Sequence, residues 1–276
     1  MTKLVCLHHA GGSPSVFRPW ELYAPPGIEV VAIALPEVPR AAVSTDSGAM
    51  STVPAAASTD PGAMSGDPGV PPRRQIGALV PVLADLVREE VGDEDFVLFG
   101  KSMGGLLAYL VTRHFGECGG PLPKALAVAS FGAPHSPWRN FTEGYEDDRR
   151  LVRYLHEIGS IPDWAVEHPE WVAPYLGRLR EDARMCSEFR FEPQSGPLTV
   201  PVRVFGGDRD PLVPVEAVRR WSELGDDVEV TILPGGHFLV SEDIGLLRQS
   251  VFGLASAIRP SACGVEPAIW RTVEAS

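Results

Sequence analysis

The sequence predicts an α/β protein with a mostly parallel, doubly wound sheet, and two observations carry that prediction. Short valine-rich apolar runs recur along the 276 residues, and segments of helical period separate them. The runs are Leu4 to Leu7, Val30 to Leu35, Phe96 to Phe99, Ala125 to Ala129, Val202 to Phe205 and Val228 to Leu233. Their largely continuous apolar character suits strands buried on both faces of a parallel sheet. Between them, Leu106, Leu107, Leu110, Val111 and Phe115 share one helical face, as do Leu79, Leu83, Leu86 and Val87. Pro81 is expected in the first turn of the latter helix, where a missing N–H costs nothing. Strands that alternate with helices give a doubly wound α/β domain.

Two segments interrupt the rhythm. From about Ala41 to Pro72 the chain carries a near duplication, Ser44 to Ser51 and Ser58 to Ser65, rich in Ala, Ser, Gly and Pro. Such a stretch buries too little apolar surface to offset its ordering entropy, so a flexible surface insertion at 41–72 is expected. A lid or partner-binding loop is the sharper alternative. From about Phe141 to Phe191, Leu151, Leu155 and Ile158 lie on one helical face. Trp171, Tyr175, Leu179, Ala183 and Cys186 lie on another. These helices, at 141–191, are either a helical lid over a site or ordinary core packing.

Composition narrows the classes. Hydrophobic content of 44% and charged content of 22% are those of an ordinary globular domain. A net charge of −12 argues against nucleic acid or an anionic membrane as partner. Cys6, Cys118, Cys186 and Cys263 form no CxxC pair and no zinc-like cluster, so reduced thiols are expected. Met1 leads straight into a strand-like stretch, and no long apolar run follows. A cytoplasmic location is therefore expected.

The chemistry begins at Phe99-Gly100-Lys101-Ser102-Met103-Gly104-Gly105, between an apolar strand and a helix. This is the setting of a nucleophile elbow, and it makes Ser102 the expected nucleophile of an α/β-hydrolase. The flanking glycines permit the sharp turn, and the helix dipole favours developing negative charge. In that fold the base comes last in the chain. His237 is the last of the seven histidines, in a loop just past the final strand-like run. His114, His156 and His168 fall on helical patterns, and His135, just after a strand-like run, is only a candidate to border the site. Two aspartates after Phe205, Asp208 and Asp210, compete to orient the imidazole. Asp210 is preferred, with Asp208 expected to stabilise the turn through backbone hydrogen bonds. The oxyanion hole requires two backbone N–H groups. Met103 follows the nucleophile, and Ala10 lies in the small-residue loop His8 to Ser13; both are expected donors.

These motifs together resemble the type II thioesterases. The likeness rests on Leu4 to Ser13 followed by Phe17 and Trp20, Pro25 to Val31, Phe99 to Tyr109 and Ser130 to Pro134. It continues in Val202 to Pro211 and Pro234 to Phe238, and so runs nearly the whole chain in order. The resemblance implies an α/β-hydrolase core with a helical lid and a Ser–His–Asp triad whose acid is Asp210. It implies an acyl-enzyme mechanism with no metal or cofactor. It also implies a partner, an acyl or peptidyl carrier protein of polyketide or non-ribosomal peptide synthesis, whose phosphopantetheine arm bears an unwanted acyl group. A free-standing esterase or a product-releasing thioesterase is the alternative. Two departures stand out: Lys101, where the family elbow usually has histidine, and Leu35-Pro36-Glu37-Val38-Pro39-Arg40, where it has Leu-Pro-Gly-Arg. Lys101, Arg178, Arg180 and Arg184 are expected candidates for a basic docking patch.

Overall fold

The computed structural model describes residues 1–36, 75–137, 140–193, 196–238 and 244–258. All six apolar runs are strands: β1 (Thr2–Leu7), β2 (Ile28–Ile33), β3 (Phe96–Lys101), β4 (Ala125–Ala129), β5 (Val202–Gly207) and β6 (Val228–Leu233). They form one sheet in the order β2-β1-β3-β4-β5-β6, with every neighbouring pair parallel. The helices are α1 (Arg18–Leu22), α2 (Ile76–Val91), α3 (Met103–Cys118), α4 (Asp148–Glu157), α5 (Asp163–Glu167), α6 (Ala173–Glu188), α7 (Val215–Arg219) and α8 (Ile244–Ala257).

Strand residues alternate between two cores. Val5, Leu7, Leu98, Leu126 and Val128 pack with α2 and α3 on one face. Leu4, Cys6, Val97, Phe99, Ala127 and Ala129 pack with Phe17, Trp20 and α8 on the other. Both faces are thus covered, which is why the strand sequences run apolar with little alternation. The chain leaves β1 toward β2 on one side, then returns to β3 on the other. That reversal opens a crevice at the carboxyl ends of β1 and β3, where open α/β sheets bind ligands.

Three details differ from the sequence expectation. Helix α2 starts at Ile76, so Pro81 lies inside it rather than in its first turn. The missing Pro81 N–H deprives only the Gly77 carbonyl, one turn back. Trp171 belongs to a short 3-10 turn ahead of α6 and is 66% exposed, stacked on His168 at 4.2 Å. The buried face of α6 is instead Leu176, Leu179, Asp182, Ala183, Met185 and Cys186. The repeat-bearing segment at 41–72 and Cys263 lie outside the described residues. Cys6, Cys118 and Cys186 are free thiols.

Candidate active site

The tip of β3 explains the glycines around Ser102. That serine has φ 52° and ψ −121°, a left-handed conformation costing about 1–3 kcal/mol that only its surroundings can enforce. A Cβ on Gly100 would lie 2.0 Å from the Gly104 carbonyl oxygen, and one on Gly104 would lie 2.1 Å from that of Leu7. No side chain fits at either position. The Ser102 N–H donates to the Ala129 carbonyl at 2.7 Å, and its own carbonyl accepts from Gly105 N–H at 2.7 Å. The elbow is therefore wedged between β1, β4 and the first turn of α3.

Three loops at the same edge of the sheet bring the predicted side chains together. His237 Nε2 lies 3.0 Å from Ser102 Oγ, and His237 Nδ1 lies 2.9 Å from Asp210 Oδ2. The His237 and Asp210 side chains are 5% and 1% exposed, so their bond is shielded from water. Asp210 Oδ1 also accepts the N–H groups of Leu212 and Val213, which fix the carboxylate from behind. Asp208 points elsewhere. Its Oδ1 accepts the Gly235 N–H at 2.8 Å and holds the His237 loop against β5. That backbone bond is the main reason its carboxyl sits below the usual range.

Of the two expected oxyanion donors, Met103 follows the serine directly and Ala10 lies in the loop after β1. Met103 is the first residue of α3, where the first amides lack intrahelical acceptors. Ala10 is buried in the loop after β1, and the approach of Gly104 to the Leu7 and His8 carbonyls presses that loop against the helix start. The neighbouring Gly11, with φ 71°, donates its N–H to the buried Asp182 carboxylate of α6 at 2.8 Å. Asp182 was not foreseen. Its signal in the sequence is a charge on the apolar face between Leu179 and Cys186.

Lys101 was expected near the site but not in this role. Its Nζ donates to the Phe238 carbonyl at 3.0 Å and stands 4.8 Å over the Phe238 ring. Burial, opposed by Asp210, pushes its ammonium group down to about 8. His9 packs edge-on against the same ring, and burial followed by the charge of Lys101 pushes its imidazole down to about 3. Of the expected basic patch, then, Lys101 turns inward, Arg180 pairs with Asp148, and Arg184 pairs with Glu188. Arg178 is exposed. His135 does not join the serine. Its Nε2 meets Glu223 at 2.9 Å, and it lines a cavity of about 430 Å³ with Phe131, Cys186, Phe191, Leu212 and Val213, beyond the Asp210 loop.

A thioesterase domain model matches residues 49–249, a span that includes Ser102, Asp210 and His237. The chain belongs to the thioesterase domain family. Over 90% of its length the thioesterase is 30% identical to the AMB antimetabolite synthetase AmbE of Pseudomonas aeruginosa, but it spans only 10% of that protein. It is 24% identical over 87% of its length to the gramicidin S biosynthesis protein GrsT of Aneurinibacillus migulanus, of which it covers 83%. Its fold superposes on the RedJ thioesterase of Streptomyces coelicolor prodiginine biosynthesis with a TM-score of 0.71 and 25% identity. That match covers 91% of this chain and 85% of RedJ. The type II thioesterase BorB of the borrelidin cluster gives a TM-score of 0.69 and 26% identity, covering 93% of this chain and 91% of BorB. The resemblance read from the motifs is borne out, and the thioesterase is a hydrolase. Among the described residues no helix is long and apolar enough to cross a membrane.

Proposed function

We propose that this thioesterase removes aberrant or stalled acyl groups from the phosphopantetheine arm of acyl or peptidyl carrier proteins in polyketide or non-ribosomal peptide synthesis, through an acyl-enzyme on Ser102. The observation that carries the mechanism is the unbroken hydrogen-bonded run from Ser102 Oγ through His237 to Asp210. The carrier-bound substrate is supported by the relatives, among them a gramicidin S biosynthesis protein and the type II thioesterase BorB.

In this scheme His237 Nε2 takes the hydroxyl proton as Ser102 Oγ attacks the thioester carbonyl carbon. The Met103 and Ala10 N–H groups hold the resulting oxyanion, a contribution of roughly 3–4 kcal/mol per donor in comparable sites. The carbon–sulfur bond breaks, and the departing thiol takes the proton from His237. Water then gives a proton to His237 and attacks the acyl carbon. The acid leaves, and Ser102 Oγ recovers its proton. Asp210 keeps the imidazole in the tautomer that can accept at Nε2. No step requires a metal or cofactor. Helices α4 to α6, inserted between β4 and β5, serve as the lid, and the Asp182 contact with the Gly11 loop supports that role.

The test is to mix the enzyme with an acylated carrier, quench, and look for the acyl mass on the peptide containing Ser102. Ser102→Ala should lose several orders of magnitude in turnover with its fold intact. Retention of more than about a tenth of the activity, a change of only about 1.4 kcal/mol, removes Ser102 from the nucleophile role. The match to a segment of the much longer AmbE synthetase favours, as a second reading, a thioesterase that releases a finished product. Product release would show as preference for the full-length acyl chain over short ones.

A further inference from the structure

Lys101 is the last residue of β3 and the immediate neighbour of Ser102. Its side chain crosses to the loop after β6, where Nζ donates to the Phe238 carbonyl and faces the Phe238 ring. Phe238 follows His237 directly, and their rings stand edge to face at 5.1 Å. One side chain thus joins the strand that carries the nucleophile to the loop that carries the base. None of the proton transfers above uses it.

We propose that Lys101 is a positioning residue for His237: its ammonium group clamps the carbonyl and ring of Phe238 and so holds the imidazole in reach of Ser102. The inference rests on the triad reading of Ser102, His237 and Asp210. The bond to Asp210 sets the rotation of the imidazole, but the reach of Nε2 also depends on where the loop backbone lies. A charge-assisted hydrogen bond to that backbone, reinforced by the cation over the ring, is the kind of contact that fixes it. The Phe238 ring also packs against His9, whose centroid is 5.5 Å away.

The clamp is charge-dependent. The titratable groups around it are His9 after β1, Asp210 after β5 and His237 after β6. His9 stays neutral, Asp210 favours the ammonium form, and burial disfavours it more, which leaves the group near 8. Below that pH the ammonium form is present and the clamp is at full strength. Above it the neutral amine still has N–H donors but loses both the charge assistance and the attraction to the ring.

The test measures kcat and KM for one soluble acyl thioester from neutral to alkaline pH, in wild type and Lys101→Met. Each rate is divided by the active sites counted from the endpoint of fluorophosphonate labelling, so unfolded protein does not contribute. The expected result is a loss of about tenfold in kcat at neutral pH, the scale of one charged hydrogen bond, with little change in KM. The fall in wild-type kcat above about pH 8 should also disappear in the variant. Lys101→Gln, which keeps a donor without a charge, serves if the methionine variant does not fold, and it too should lack the alkaline fall. A neutral variant with wild-type kcat per site, or with the alkaline fall intact, overturns the clamp. Absence of labelling at Ser102 in the wild type overturns the triad reading beneath it instead.

Discussion

The Asp182 carboxylate, buried on helix α6, accepts a hydrogen bond at 2.8 Å from the backbone N–H of Gly11, in the loop that follows β1. A residue inserted between β4 and β5 thereby fixes the loop that follows β1. Burial followed by the Asp182 charge also pushes the nearby Cys186 thiol up. Gly11 adjoins Ala10, the proposed oxyanion donor, so this bond couples the inserted helices to the site. Asp182→Ala leaves a buried N–H without that acceptor, at a cost of about 1–3 kcal/mol. The variant should melt earlier and lose kcat more than it gains KM. Asp182→Asn, which keeps an acceptor of the same shape, should recover most of the kcat. Thermal unfolding and steady-state kinetics on both variants check this, and an unchanged kcat in the alanine variant would separate the inserted helices from the oxyanion loop.

The two aspartates after β5 predict opposite outcomes. Asp210 faces the imidazole, whereas Asp208 accepts from the Gly235 N–H and from Arg209. Asp210→Asn presents an amide to His237 Nδ1 and favours the wrong tautomer, a loss of up to about 10⁴-fold in kcat. Asp208→Asn keeps a carbonyl for the Gly235 N–H and should change kcat by less than about tenfold, or 1.4 kcal/mol. Single-turnover rates on one soluble thioester compare them directly. Equal losses would mean that the loop, rather than the carboxylate, is what matters.

His9 makes stability depend on acid. Its imidazole is pushed from 6.5 to about 3 in the folded chain, first by burial and then by Lys101. The unfolded chain therefore binds a proton below about pH 6.5 that the folded chain refuses until about pH 3. Stability from this group is fully present above the upper value and declines through that window, at about 1.4 kcal/mol per pH unit for one proton. In His9→Asn, whose amide can still donate to the Ala10 carbonyl as Nδ1 does, melting temperature should fall less steeply on acidification than in the wild type. Parallel melting curves across the window would contradict the assignment.

Much of this architecture was legible because its signals are local. Ala125 to Ala129 and Val228 to Leu233 are strands to the residue, since each is a compact apolar run with turn residues close by. Ser102 could be read because its strained turn demands Gly100 and Gly104 at fixed offsets. Asp210 could be separated from Asp208 by its distance past the strand. What stayed hidden depends on partners remote in sequence. In the sequence Lys101 reads as part of a basic docking patch because its partner, Phe238, is 137 residues away. Asp182 has no local signature because its partner is a backbone N–H 171 residues away, and helical period alone gives no reason for a buried carboxylate. Trp171 fits the helical spacing of Tyr175 and Leu179, but Pro174 lies in the first turn of α6, and the chain ahead of it forms a separate 3-10 turn.

The central claim is that the substrate is a thioester presented on a carrier. Both the enzyme, at −12, and a typical acidic carrier bear negative charge, so long-range attraction does not drive docking and local contacts must. The most direct measurement compares kcat/KM for one short acyl group on a phosphopantetheinylated carrier protein, on a small soluble thiol, and as the matching oxygen ester. The account predicts a clear preference for the carrier thioester, with the oxygen ester slowest. Equal values for carrier and small thiol, or a preference for the oxygen ester, would contradict it and make the protein a free-standing esterase.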